Sequence, residues 1–221
     1  VVIHSYSTRS NGYVAWAPRR MELYPTPEQD NIPLDPIEQL SIHEMTHVNQ
    51  MIALNTGFTK AATFILGEQI TGVVSALLPL WYFEGEAVFA ESALTGSGRG
   101  RMPSFQKELK AISVEKGKMF RYDKIVNGSL RDYGPDHCQS GFQIATWGRA
   151  KYGNDIWNEV LKKTGSEPFT IDPANISLRK STGLLKRTLF NEAFDTLRTI
   201  WSNDMTINAK EEYPVVNPPK K

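Results

Sequence analysis

The chain is poor in the residues that would announce most binding chemistries. One cysteine among 221 residues, Cys138, excludes an internal disulfide and a thiolate-rich metal site. Charge of either sign is not in excess: 25 Lys and Arg against 24 Asp and Glu leave a net charge of +1. That balance supplies no electrostatic case for nucleic acid or an anionic membrane surface. Long apolar runs are lacking too. The longest uncharged stretch, Gln69 to Phe83, has 15 residues and is interrupted by Gly72 and Pro79, against roughly 18–20 for a membrane span. It is expected to be a buried core segment. No signal peptide or lipidation motif follows Val1-Val2-Ile3, so targeting is not written in this chain. Internal repeats are absent as well. What remains, 40% hydrophobic and 22% charged residues, is the composition of a folded globular chain.

The N-terminal segment, residues 1–27, reads as extended. Val1-Val2-Ile3 and Tyr13–Tyr24 are β-prone, Ser10-Asn11-Gly12 between them is a hairpin-type turn signal, and Pro25 and Pro27 end the sheet. A helix start is written at Asp35-Pro36-Ile37-Glu38, with Asp35 as N-cap, Pro36 in the first turn and Glu38 placed to reach back as in a capping box. Asn55-Thr56-Gly57 is its stop. A second helix is expected from near Pro79 to Leu94, ended by Thr95-Gly96-Ser97-Gly98. Beyond Met102 the chain reads as mainly helical, with loops at Asn127-Gly128, Gly134-Pro135 and Gly165 to Pro173. Its last helix buries a stripe of Phe190, Phe194, Leu197 and Trp201.

The informative segment is His43-Glu44-Met45-Thr46-His47, inside the capped helix. Four residues turn a helix by about 400°, so the two imidazoles stand about 40° apart and about 6 Å along the axis, within reach of one metal ion. Glu44, one residue on from His43, is offset from that position and suits a base acting on a metal-bound water. Two of the chain's four histidines fall here, which favours a metal site over satisfied core histidines. A third histidine ligand just downstream is excluded, because Gln50 stands where H-E-x-x-H-x-x-G-x-x-H would need glycine. A carboxylate is the better third ligand. Glu84, 37 residues after His47 in Trp81-Tyr82-Phe83-Glu84-Gly85-Glu86, is the leading candidate, since a glutamate at the end of an aromatic run is costly to bury without a cation. Gly85 beside it suggests close approach of another backbone, taken to be the His43 helix. Glu86, about 200° round the helix, and Glu91, two turns along, are the rivals, with Glu91 suited to support a ligand instead.

His43-Glu44-x-x-His47 followed by Trp81-x-x-Glu84-Gly85-x-Ala87-x-Phe89-x-Glu91 resembles the gluzincin metallopeptidases. The resemblance is strong over residues 35–95 and looser over Ser10–Tyr24, which looks like the edge strand that pairs with substrate backbone in that group. The whole chain further resembles bacterial exported peptidase domains joined to a TolB-like β-propeller.

The resemblance implies an α+β, zincin-like, two-lobed fold: a small N-terminal β-sheet with the active-site helix, and a mostly helical C-terminal lobe. It divides the chain into a metallopeptidase domain at 1–205, with lobes 1–98 and 99–205, and a linker at 206–221 toward a C-terminal β-propeller. It implies one Zn2+ held by His43, His47 and Glu84, with Glu44 as general base. It also implies a peptide or protein substrate, and export to the periplasm or cell surface. Gluzincins commonly add an oxyanion-steadying tyrosine, in some members within Tyr-x-x-Gly; here that stretch reads Cys138-Gln139-Ser140-Gly141, so the role passes to Tyr133 or to His137. Cys138 itself is read as a buried structural thiol. The resulting expectation is a zinc-dependent peptidase. The alternatives are another zinc hydrolase on the same site, or a degenerate peptidase-fold binding module attached to a larger exported protein.

Overall fold

The computed structural model describes residues 1–26, 32–117 and 119–208, with side chains described up to 204. It is mixed α+β and mostly helical. Three short strands come first: β1 (Val2–Ile3), β2 (Asn11–Ala15) and β3 (Arg20–Tyr24). Their order is β1-β3-β2, with β1 parallel to β3 and β2 antiparallel to it, so β2 is an edge.

The hairpin does not turn where expected. Asn11 and Gly12 lie inside β2, paired with Tyr24 and Leu23, and the reversal falls at residues 16–19 around Pro18. Gly12 answers a packing demand instead. A Cβ there would stand 2.6 Å from Glu44 Oε1, and glycine in a strand commonly marks such a close approach. Pro27 lies outside the described residues.

One face of β3 alternates inward, where Met21 and Leu23 bury against Leu40 of the next helix, with Val14 and Val48 beside them. That helix is α1 (Pro36–Leu54). Asp35 Oδ1 accepts from the Ile37 and Glu38 amides as an N-cap should, and α1 ends at Asn55.

Two helices with no clear sequence signature follow, α2 (Gly57–Leu66) and α3 (Gln69–Ser75), neither with a side-chain N-cap. They alter the buried-segment expectation. Val74, Leu78, Trp81, Tyr82 and Phe83 are buried, but Val73, Leu77 and Leu80 are exposed. No single helix among the described residues is long and apolar enough to cross a membrane.

Helix α4 (Leu80–Leu94) matches its predicted span, and a 3-10 turn at Arg99–Arg101 follows it. The remainder is helical: α5 (Pro103–Glu115), α6 (Tyr122–Asn127), α7 (His137–Tyr152), α8 (Ile156–Ser166), α9 (Pro173–Thr182) and α10 (Lys186–Asn208). Helix α10 buries Phe190, Phe194 and Trp201, with Leu197 packed beside them, as the spacing predicts. It also runs to Asn208, past the start of the expected linker; residues 209–221 of that linker lie outside the described residues.

The main core joins Trp81 and Tyr82 of α4 to Ile144 of α7, Trp157 of α8 and Phe190 of α10. Gly85 permits a tight crossing, but its partner is Gly141 of α7, not the His43 helix. Gly85 faces α7, which leaves the preceding residue, Glu84, turned about 100° away, toward α1.

Candidate metal centre

Helix α1 delivers His43 and His47 to one face, their ring centroids 5.0 Å apart. Glu84 of α4 faces both: Oε2 lies 3.2 Å from His43 Nε2, and Oε1 lies 3.6 Å from His47 Nε2. Ligand atoms of His43, Glu44 and His47 also lie within 4.8 Å of one another, close enough to share a metal ion. The structure therefore assembles all four residues that the sequence placed at the centre.

Each histidine is held from behind in a different way. His47 Nδ1 is 2.8 Å from Gln50 Oε1, and the Gln50 amide donates to the Phe83 carbonyl at 3.1 Å. Because the Gln50 nitrogen is committed to Phe83, its oxygen must accept from His47, which puts the ring proton on Nδ1 and leaves the Nε2 lone pair facing Glu84. His43 Nδ1 instead meets a charged pair, Arg99 Nη2 at 3.0 Å and Glu91 Oε2 at 3.4 Å. Glu91 is fully buried and holds Arg99 through its backbone amide at 3.2 Å and Nε at 2.7 Å.

The carboxylates divide electrostatically. Burial pushes the Glu44 carboxyl up to about 7, while nearby His43 pulls it down less strongly. Burial acts on Glu84 as well, but the His43 hydrogen bond and the charges of His47 and His43 outweigh it and hold Glu84 at about 2. For His43, burial disfavours the charged form, yet hydrogen bonds to Glu84 and Glu91 raise its pKa above the ordinary value. Burial and the neighbouring His43 lower His47. Glu44 is only 3% exposed, and its Oε2 is buried without a hydrogen-bond partner. Such an orphan is costly unless something fills the space in front of it.

The residues of the centre line an open cleft of about 780 Å3. Ser10 and strand β2 from Asn11 to Val14 line one side, and the start of α7 lines another through His137 and Cys138. The second side of β2 has no strand partner among the described residues.

The remaining expectations sort cleanly. Glu86 is buried away from the centre in a two-point ion pair with Arg149. Tyr133 is not brought to the cleft: it is 67% exposed, and its hydroxyl donates to Glu108 Oε2 at 2.5 Å. It belongs to the loop before α7, whose N-cap Asp136 starts the helix only at His137, so the helix start carries His137 and Cys138 to the cleft and leaves Tyr133 outside. Cys138 Sγ is 3.9 Å from Glu84 Oε2, and burial, then the Asp136 and Glu84 carboxylates, push its thiol up to about 12, which excludes a free nucleophilic thiolate.

Sequence reasoning missed Gln50, Arg99 and the role of Gly12. Gln50 was findable, since it sits three residues after His47 on the same helical face. Arg99 is 56 residues from His43, and nothing local connects them. Comparison with family models, curated proteins and solved structures finds no match for this chain.

Proposed function

We propose that the chain is a zinc-dependent peptidase of the gluzincin type, with His43, His47 and Glu84 holding the ion and Glu44 acting as general base. The observation that carries this reading is the convergence of His43, His47 and Glu84, with the buried Glu44 carboxylate beside the two histidines. Zinc–nitrogen and zinc–oxygen bonds of about 2.0–2.2 Å at tetrahedral angles require donor atoms roughly 3.4 Å apart. His43 Nε2 lies 3.2 Å from one Glu84 oxygen and His47 Nε2 lies 3.6 Å from the other, separations close to that edge. The donor set, two imidazoles and a carboxylate, is that of a catalytic zinc with an open position.

The supporting groups fit as well. Gln50 already leaves His47 Nε2 free to bind. The proton shared by His43 Nε2 and Glu84 occupies the position of a cation, and Glu91 Oε2 can accept the Nδ1 proton that His43 would then carry.

When bound, zinc supplies a Lewis acid that acidifies a water and polarises the substrate carbonyl. Glu44, beside both histidines, would then take the water's proton and return it to the leaving amine. The free edge of β2 offers main-chain hydrogen bonds to an extended peptide, which suits a peptide over a sugar or nucleotide. His137, not Tyr133, is the cleft-lining side chain available to steady a developing oxyanion.

The test is metal analysis after purification without chelator, combined with cleavage of a quenched peptide library. About one zinc and cleavage that Glu44→Gln abolishes are expected. Unchanged zinc content in His47→Ala would overturn the assignment. A binding module without turnover is the second reading, favoured by a cysteine at the position where some gluzincins carry tyrosine. Zinc without cleavage would select it.

A further inference from the structure

The helical hairpin of α2 and α3 turns large apolar side chains to solvent. Phe64 is 93% exposed and Ile65 78%, and Leu66 beside them is exposed as well. Val73, Leu77 and Leu80, also exposed, follow the i, i+4, i+7 spacing of one helical face through α3 and the turn after it. The opposite face, with Val74 and Leu78, is buried. A helix apolar on both faces is built to be covered on both. The two helices lie side by side, with Thr63 Oγ1 3.5 Å from Thr71 Oγ1, and a two-residue turn joins them, so the end of α2 and the outer face of α3 form one tip.

Charge is kept off this tip. Between Lys60 and Glu84 the sequence holds one charged residue, Glu68, and Arg19 of the β2–β3 turn pairs with it at 2.6 Å. The polar side chains are satisfied within the hairpin. Thr63 donates to the Thr59 carbonyl at 2.7 Å, Gln69 to that of Leu66 at 2.5 Å, and Ser75 to that of Gly72 at 2.7 Å. Such self-contained hydrogen bonding suits a hydrocarbon surrounding, which offers no partners. A second copy of the chain fits less well. A stable protein interface takes about 20–30 residues a side with a polar rim, whereas this tip is a few protruding side chains. A transmembrane span does not fit either. Together α3 and α4 are long and apolar enough, but they bend by 100°, and Trp81, Tyr82 and Phe83 of α4 belong to the core.

We propose that the α2–α3 tip is a membrane-docking surface, which sinks Phe64, Ile65, Leu66, Val73 and Leu77 into the acyl boundary of a lipid bilayer while the rest of the fold stays outside. The attraction is apolar, in keeping with a chain of net charge +1. Arg19 lies 4.6 Å from the centre of the Trp16 ring, which sets a cation and an aromatic beside the tip, as at the headgroup level of a membrane. Leu80 belongs to the tip and also lines the cleft, with Ala76 and Leu78 beside it. Docking therefore turns this rim of the cleft toward the headgroups.

Flotation with phosphatidylcholine vesicles tests this, in chelator, so that the outcome is independent of the proposed metal centre. The full chain is mixed with vesicles at low salt and at about 1 M salt, where attraction between exposed charges is screened. Wild type is expected to float with the vesicles in both. The double variant Phe64→Ser, Ile65→Ser changes only exposed positions and should bind at least about tenfold more weakly, the scale of the apolar area withdrawn from lipid. Val73→Ser, on the other helix, should weaken binding in the same direction. Leu94→Ser, an exposed leucine at the far end of α4, should float as wild type does. Wild type that fails to float at either salt concentration overturns the proposal, since lipid is then not bound or is bound by charge. Flotation unchanged in the double variant places the lipid contact elsewhere and overturns it equally. A wild-type dimer in light scattering that the double variant splits gives the patch to a second copy, and overturns it too.

Discussion

The two walls of the cleft are built on different principles. The wall made by α1 and α4 carries five ionisable groups, His43, Glu44, His47, Glu84 and Glu91, and both of its histidines are braced: His47 by Gln50, His43 by Glu91 and Arg99. The other wall, made by β2, faces the cleft with Asn11 to Val14, and its Gly12 packs against Glu44. The braced wall also joins the large helical core, whereas the sheet behind β2 rests on Met21, Leu23 and Leu40. On the proposed reading, metal binding belongs to the α1–α4 wall and substrate pairing to the edge strand β2. If that division is correct, substitutions on one wall should change metal affinity, and those on the other should change turnover alone.

The largest effects belong to the braced wall. Glu44→Gln keeps the shape of the side chain and removes the base, so hydrolysis should fall by about 10²–10⁴ while zinc content stays the same. Removing a ligand is different in kind. Glu84→Ala takes a negative charge from between two imidazoles and should release zinc to a competing chelator, with turnover lost in proportion. A Glu44→Gln protein that loses its zinc would break the comparison, because Glu44 would then be a ligand.

The difference between the walls also explains how much could be read from sequence. Helix α1 was legible because its cap, stop and metal spacing are all local: Asp35 caps it, Asn55 ends it, and four residues separate the histidines. Glu84 was legible because an acidic residue amid aromatics violates the hydrophobic pattern. The Gly85 inference failed in its target, since a glycine reports close approach without saying which helix approaches, and α7 was the partner. Asn11-Gly12 misled for a related reason. The dipeptide marks both a turn and a strand pressed against a side chain, and only the tertiary position of Glu44 decides between them. Tyr133 was chosen from proximity in sequence, which carries no direction. Arg99 has no local signature, because its role depends on a loop returning to His43 after Glu91.

Intermediate effects should come from the braces. Glu91→Gln removes the acceptor available to the His43 Nδ1 proton and half of a buried ion pair, while Gln50→Leu unpins His47 without touching charge. Each should weaken zinc binding by about 10–100-fold. Glu91→Gln should be the more severe, since it also removes the buried charge that Arg99 pairs with. Chelator competition gives both values; equal wild-type affinity in the two variants would mean that the braces are structural only. On the opposite wall, Gly12→Ala places a Cβ within 2.6 Å of Glu44 Oε1. Turnover should drop by about tenfold, the scale of 1.4 kcal/mol on the barrier, with zinc retained.

The smallest effect on the metal is expected from Glu86→Ala, and it sharpens the comparison because Glu86 shares α4 with Glu84. Two residues along a helix turn it by about 200°, so Glu86 faces Arg149 of α7 and not the histidines. Its carboxylate is buried, and only the guanidinium, itself 20% exposed, keeps it charged there. Deleting it leaves Arg149 with the Asn154 carbonyl and the face of Phe89, so stability should fall by roughly 3 kcal/mol, the lower end for breaking a buried pair. Zinc affinity of the folded fraction should stay within about twofold of wild type, a few tenths of a kcal/mol. Thermal unfolding with and without chelator separates the two quantities, because zinc should add the same stabilisation to the variant as to wild type. A Glu86→Ala protein that gains nothing from zinc, beside a Glu84→Ala protein that does, would reverse the assignment of the two glutamates and move the centre to the α4–α7 side.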